Sequence, residues 1–280
     1  MHDVFTSDLL VGKVAFVTGG TSGINHHIAL RYAKAGARVA LIGRNVEKAE
    51  AAAAVVRKAG GEAVGLSADV RDYAGLEGAF KAVHDRWGEI DIVIAGAAGN
   101  FVAPVLGMSS NGFRTVIDID LVGTFNTVRA AFAFLRRPGA AIIAISASHS
   151  TMPVAAQAHV CAAKAGIDML IKSLSLEWGS QGVRCLGIAP GAVENTEGMR
   201  RLAPNGAENL QQIFASIPLG RQATRDDIAD LALFLVSGAA NYINGTIISI
   251  DGGSLNSGGQ RIGEMLMASV EDARVERGHP

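Results

Sequence analysis

Val14-Ala15-Phe16-Val17-Thr18-Gly19-Gly20-Thr21-Ser22-Gly23-Ile24-Asn25 is the stretch on which the fold turns. Val14 to Thr18 reads as a buried strand, and it runs without a spacer into a glycine turn and then into an amphipathic stretch, Ile28 to Ala35. Gly19 and Gly23 permit a tight turn and let backbone N–H groups approach a pyrophosphate, which the positive end of the helix dipole also favours. Strand, glycine turn and helix in this order are what a dinucleotide-binding turn requires, so Gly19, Thr21, Ser22, Gly23 and Ile24 are candidate cofactor contacts.

The same rhythm extends outward along the chain. Short apolar runs at Arg38 to Ile42, Ala63 to Leu66, Asp91 to Ala95, Ala140 to Ile145, Val183 to Ala189 and Thr246 to Ile250 predict six further strands. Between them, Val46 to Lys58, Tyr73 to Trp87, Gly112 to Leu135, His159 to Trp178 and Asp226 to Val236 carry apolar residues at helical spacing, and Gly36 and Gly60 stand where helices stop. Strands alternating with crossover helices imply an α/β protein, a doubly wound seven-stranded parallel sheet of Rossmann type. No Pro/Ser-rich linker divides the 280 residues, so one domain over 1–280 is expected, with its core at 12–255. The polar segment 194–220 falls outside the rhythm and is expected to be a substrate lid, and 256–280 a C-terminal tail.

Composition excludes several classes. At 49% hydrophobic and 18% charged, the chain is far from disorder. With 25 Lys and Arg against 26 Asp and Glu and no basic stripe, no nucleic-acid partner is expected. No apolar run approaches the roughly 20 residues that cross a bilayer. The start MHDVFTSDLL lacks the features of a signal peptide, which leads to the expectation of a cytoplasmic protein without membrane insertion. Cys161 and Cys185 form no disulfide framework and read as structural thiols, and no histidine set has metal-site spacing, so no metal is expected.

The end of the second predicted strand bears on the choice of nicotinamide cofactor. An acidic residue there would bond the ribose 2′-hydroxyl of NAD and repel a 2′-phosphate, whereas this chain has Gly43 and Arg44. Arg44 offers a planar guanidinium to the phosphate of NADP(H).

With Gly19 to Ile24, Asp69-Val70, Lys164, Pro190-Gly191 and Asp251-Gly252-Gly253 in hand, the chain resembles the short-chain dehydrogenase/reductase family over about residues 12–255. The resemblance implies that Asp69, beside Val70, contacts the adenine amino group and that Lys164 binds the nicotinamide ribose hydroxyls. It also implies that Pro190 and Gly191 line the nicotinamide, and that Ala97 and Val193 join the cofactor contacts. The departures matter as much. Asn25 replaces the usual third glycine, which suggests looser helix-to-strand packing or a shifted turn. The family's tyrosine four residues before the lysine is Val160 here, its serine is Ala147 flanked by Ser146 and Ser148, and its helix asparagine is Asp120. Ordinary carbonyl reduction needs an aligned proton donor, and the usual one is absent.

Ala97-Ala98-Gly99-Asn100-Phe101, Asp118-Ile119-Asp120, Gly123-Thr124-Phe125-Asn126, His159 and Thr196-Glu197-Gly198-Met199-Arg200-Arg201-Leu202 resemble one branch of that family, the peroxisomal type of 2,4-dienoyl-CoA reductases. This implies NADPH-dependent reduction of a 2,4-dienoyl thioester to a 3-enoyl thioester in unsaturated fatty acid degradation, with Asp120 and Lys164 as catalytic residues, an acyl-CoA thioester as substrate, and a homotetramer. His149, fifteen residues before Lys164, matches the spacing of the catalytic tyrosine in the mitochondrial type and is a further catalytic candidate, set against an exposed loop histidine. Asn100 and Phe101 are candidates for orienting the thioester and packing on the acyl chain, with Thr196 and Arg200 in the lid as further substrate contacts; Arg200 and its neighbour Arg201 suit coenzyme A phosphates. His159 reads as a pocket-shaping residue, and His26 and His27 as surface residues or cofactor neighbours. The ending Arg277-Gly278-His279-Pro280 is unlike a Ser-Lys-Leu signal, which favours the cytoplasm over the peroxisome. Two alternatives stay open: a reductase of 3-oxoacyl or other carbonyl thioesters with His149 as acid, and a cofactor-binding protein whose catalysis has decayed.

Overall fold

The structure is a computed structural model, described here for residues 5–202 and 217–259. Seven strands, β1 (Val14–Thr18), β2 (Arg38–Gly43), β3 (Glu62–Ser67), β4 (Ile92–Ala95), β5 (Ala141–Ile145), β6 (Arg184–Pro190) and β7 (Ile247–Ile250), form one sheet in the order β3-β2-β1-β4-β5-β6-β7. Every pair is parallel, so each connection is a crossover, and the direction of winding reverses between β1 and β4. Such a switch point opens a crevice at the carboxyl ends of the strands, which is where ligands of doubly wound sheets bind.

The helices are α1 (Gly23–Lys34), α2 (Val46–Lys58), α3 (Tyr73–Trp87), α4 (Ser110–Ile117), α5 (Gly123–Ala131), α6 (Ala158–Trp178), α7 (Glu197–Leu202) and α8 (Arg225–Val236). The central strands read as unbroken apolar runs because helices bury both faces of the sheet, and the core divides accordingly. On one face Ile28 and Tyr32 of α1 pack beside Ile228 and Leu233 of α8, and the Tyr32 hydroxyl donates to the Ala232 carbonyl at 3.0 Å. On the other Phe16 stacks on Phe80 with ring centroids 3.7 Å apart. At the foot of the sheet the buried Asp91 accepts from the Val14 amide at 2.9 Å and pairs with Lys13 and Arg136, which fixes β4 beside β1.

Two departures from the sequence expectation bear on the site. The first helix begins at Gly23, earlier than Ile28, because the turn glycine is itself its first residue. The stretch Gly112 to Leu135, expected as one helix, is broken: α4 passes into a π-helical turn, Asp118–Val122, before α5 and a 3₁₀ turn at Phe132–Phe134. Apolar periodicity does not register one extra residue in a turn, and π-turns of this kind frequently mark functional sites. Within 194–220, α7 is described and residues 203–216 lie outside the described residues; of the expected tail, 260–280 lie outside as well.

Candidate active site

The strand ends and the loops after them enclose a cavity of about 700 Å³ at the switch point. At one end, β1 hands over to α1 through Gly19, whose φ of +66° and 2.9 Å approach of a notional Cβ to the Gly96 carbonyl exclude any larger residue. Gly23 also has positive φ, at +61°, and a Cβ there would meet no protein atom within 4 Å, so the open space beside it is free for a ligand. Helix α2 is capped by the Asn45 side chain and α4 by Ser109, whereas Ser22 makes no side-chain cap to α1. The first amides of α1 are left for an anion, as a pyrophosphate requires. Asn25 does not loosen the packing of α1 on the sheet. Its side chain is buried and donates to the Gly96 carbonyl at 2.7 Å, tying α1 to the loop after β4.

Thr21, Ser22, Ile24, Arg44, Asp69, Val70 and Ala97 line this end of the cavity, with Pro190, Gly191 and Val193 further along. Arg44 is exposed at the end of β2. Arg71 grips Asp69 through Nε at 3.0 Å and Nη2 at 2.6 Å, and this hydrogen bonding holds the carboxyl below its usual range. The Val70 carbonyl accepts from Asn126 of α5 at 2.9 Å. The residues therefore fit a dinucleotide.

At the other end the π-turn aims Asp120 inward. Asp120 is fully buried, its Oδ1 accepts from the Gly99 amide at 2.7 Å, and its Oδ2 lies 3.2 Å from Lys164 Nζ, out of line for a hydrogen bond. Lys164, on α6, donates to the Ile145 carbonyl at the end of β5 at 3.0 Å. One turn on, Asp168 accepts from Ser146 Oγ at 2.5 Å, so the last residue of β5 and the one after it staple α6. Val160 is buried in the cavity wall and offers no proton.

His149 is no exposed loop histidine. It lines the cavity, neither ring nitrogen has a hydrogen-bond partner, and burial, with the Lys164 charge second, pushes its pKa down. Its ring is therefore neutral near pH 7, which removes the imidazolium as a proton source and leaves a single N–H. His159 is fully buried against Phe101, ring centroids 4.3 Å apart, and burial lowers its pKa too. Asn100, Phe101 and Thr196 line the cavity; Thr196 also accepts from the Met199 amide at 3.3 Å in the first turn of α7. Arg200 is outside the lining, with its guanidinium on Glu197 at 2.7 Å. Of Arg201 only the backbone is described. His26 contacts the Ala52 carbonyl at 3.3 Å and His27 lies 3.8 Å from Asp226, both away from the cavity. Burial pushes the Cys185 thiol up to about 12, in keeping with a structural thiol.

Sequence reasoning missed the π-turn and Gln157, which bonds to the Phe101 carbonyl and carries no local motif; Glu197 and Met199, quoted only within the string Thr196 to Leu202 and given no role, also line the cavity. Among the described residues no helix is long and apolar enough to cross a membrane.

The family model described as enoyl-(acyl carrier protein) reductase matches residues 19–254. The chain is 42% identical over 255 residues to a peroxisomal 2,4-dienoyl-CoA reductase of Saccharomyces cerevisiae, covering 90% of this chain and 87% of that protein. To the peroxisomal 2,4-dienoyl-CoA reductase of Rattus norvegicus it is 38% identical over 277 residues, covering 98% and 94%. The crystal structure of a short chain dehydrogenase from Bacillus anthracis matches with a TM-score of 0.80 at 37% identity, over 88% of this chain and 97% of that one. Fold, cofactor cradle and these likenesses agree, and the chain belongs to the short-chain dehydrogenase/reductase family of nicotinamide-dependent oxidoreductases.

Proposed function

We propose that the protein reduces 2,4-dienoyl-CoA thioesters to 3-enoyl-CoA thioesters with NADPH, in the degradation of unsaturated fatty acids. The observation that carries this reading is the buried Asp120–Lys164 pair at 3.2 Å beside Val160, a site that holds and directs a proton but offers no hydroxyl four residues before the lysine to give to an alkoxide. The likeness to reductases of that name at 38–42% identity supports it.

Bound NADPH supplies a hydride, delivered to the far end of the conjugated diene. Arg44 receives the 2′-phosphate, Asp69 the adenine and the first turn of α1 the pyrophosphate. Lys164 directs one N–H to the Ile145 carbonyl, faces Asp120 with a second and keeps a third for a ribose hydroxyl. Asn100 would orient the thioester oxygen, where negative charge develops, while Phe101 would pack on the acyl chain. Asp120 Oδ2 would hold a water beside Lys164; that water would give a proton to the α-carbon and the hydroxide left would be reprotonated from solvent, so one hydride and one proton together reduce one double bond. Thr196 meets the substrate, and Arg200, released from Glu197, meets coenzyme A phosphate. One domain over 1–280, a homotetramer and a cytoplasmic location belong to the same proposal, tested by limited proteolysis, sedimentation and fractionation.

The test is NADPH oxidation with a medium-chain 2,4-dienoyl-CoA and, in parallel, an acetoacetyl thioester. Turnover of the diene alone is expected; turnover of the ketone alone overturns the reading. The unpartnered ring nitrogens of His149 favour a second reading, reduction of carbonyl thioesters with its N–H as donor.

A further inference from the structure

The loop that leaves β4 carries Asn100 and Phe101 through backbone without regular secondary structure, yet it is tied at three places. The Gly99 amide donates to Asp120. Two residues on, the Phe101 carbonyl accepts from Gln157 Nε2 at 2.8 Å, and the Ala103 amide donates to the Ala156 carbonyl at 3.1 Å. Gln157 is 1% exposed and sits at the N-cap of α6 without capping it; its amide spans two strands of loop, since Nε2 also reaches the Ala156 carbonyl at 3.1 Å. Ala156 adopts φ +62°, a conformation costly for a residue with a Cβ, and it persists because the surrounding bonds hold it. Gln157 Oε1 is buried without a partner, so the side chain has been placed for what its N–H groups do. The ring of Phe101, whose carbonyl this amide fixes, is wedged between His159 and α4, where a Cβ on Gly112 would stand 3.3 Å from it.

We propose that Gln157 is a positioning residue that, through the Phe101 carbonyl, sets the acyl-side wall of the cavity and so decides which acyl chains the enzyme accepts. This rests on the thioester reading above. The argument is geometric: Asp120 anchors the start of the loop on the reacting side, and the Gln157–Ala156 latch anchors its far side. A loop that loses the middle of its three ties lets Phe101 sample several positions, and a wall that moves by about 1 Å degrades both binding and selectivity.

The experiment compares wild type with Gln157→Met, which keeps length and removes both donors, on 2,4-dienoyl-CoA substrates of two chain lengths. The KM for the thioester is expected to rise about tenfold, as for a buried carbonyl left without its donor. The ratio of kcat/KM between the two chain lengths shifts, while kcat and the KM for NADPH stay within about twofold, since Lys164 and the cradle of α1 are untouched. In parallel, hydrogen exchange of the Ala103 amide should accelerate by about tenfold or more. A folded variant with unchanged thioester KM and chain-length ratio overturns the proposal even if exchange accelerates. A fall in kcat with a raised KM for NADPH overturns it as well, by placing the effect in the cofactor site. Should Gln157→Met not fold, Gln157→Asn, too short to reach Phe101, takes its place. Wild type inert on dienes but active on the acetoacetyl thioester refutes the reductase reading alone, and the same KM comparison is then made with 3-oxoacyl thioesters of two chain lengths.

Discussion

Asp120→Asn isolates the charge at the centre of the site. Asparagine has the same shape and can still accept from the Gly99 amide at the Oδ1 position, so what is removed is the carboxylate facing Lys164 at 3.2 Å. At that separation and an effective dielectric constant of about 20, the attraction between unit charges is roughly 5 kcal/mol. Part of it is returned because a neutral amide costs less to bury than a carboxylate, and what dominates is the ammonium left buried without its partner. Breaking such pairs costs about 3–5 kcal/mol. The urea-unfolding free energy should therefore fall by about 3 kcal/mol, which for a chain of this size lowers Tm by roughly 6 °C. Diene reduction, followed by loss of NADPH absorbance, should drop about 10²- to 10⁴-fold in kcat, the range for loss of a group that positions a proton donor. A variant that keeps wild-type stability within about 1 kcal/mol and turns over dienes within tenfold of wild type would refute the reasoning, because the pair would then be neither structural nor catalytic.

Arg44→Ala should raise the KM for NADPH about ten- to hundredfold and leave that for NADH unchanged, which steady-state kinetics with both cofactors would reveal. Asp227 caps α8 in a reciprocal bond with Thr224, and the Arg221 guanidinium, ahead of Thr224, holds its carboxyl at about 2 against the ordinary 3.8. The native state thus binds this proton less readily than the unfolded chain, so its contribution is complete above about pH 4 and is lost as pH falls through about 2. Urea midpoints of wild type and Asp227→Asn should differ at pH 7 and converge in acid. His149, kept neutral by burial, contributes stability above its unfolded value of 6.5 that declines as pH falls below it, and His149→Phe should flatten that decline. If carbonyl thioesters prove to be substrates, His149→Ala should abolish their reduction, and a variant at full rate would sink the second reading.

Local chemistry was enough to read the seven strands to within a residue or so at each end. Apolar runs such as Val14–Thr18 and Ile92–Ala95 suit strands buried between two helical layers, and Gly19 and Gly23 suit the tight turn from strand to helix. Arg44 was read from its place after the second strand, whereas Asp69 and Lys164 were singled out only through the family resemblance; all three line the cavity. What the pattern could not show depends on contacts between segments far apart in the chain. Asn25, read as a sign of looser helix-to-strand packing or a shifted turn, makes a hydrogen bond to Gly96, 71 residues away. The π-turn at Asp118–Val122 leaves the apolar period nearly intact, yet it is the element that carries Asp120, which meets Gly99 and Lys164. Gln157 has no motif at all, and its reach to Phe101 spans 56 positions. The neutrality of His149 likewise comes from burial and from Lys164, two properties of the folded cavity, whereas its sequence neighbours Ser148 and Ser150 suggest an open loop. Periodicity and backbone stereochemistry act over a few residues and are written locally, while desolvation and long-range hydrogen bonds exist only once the sheet has brought the strand ends together.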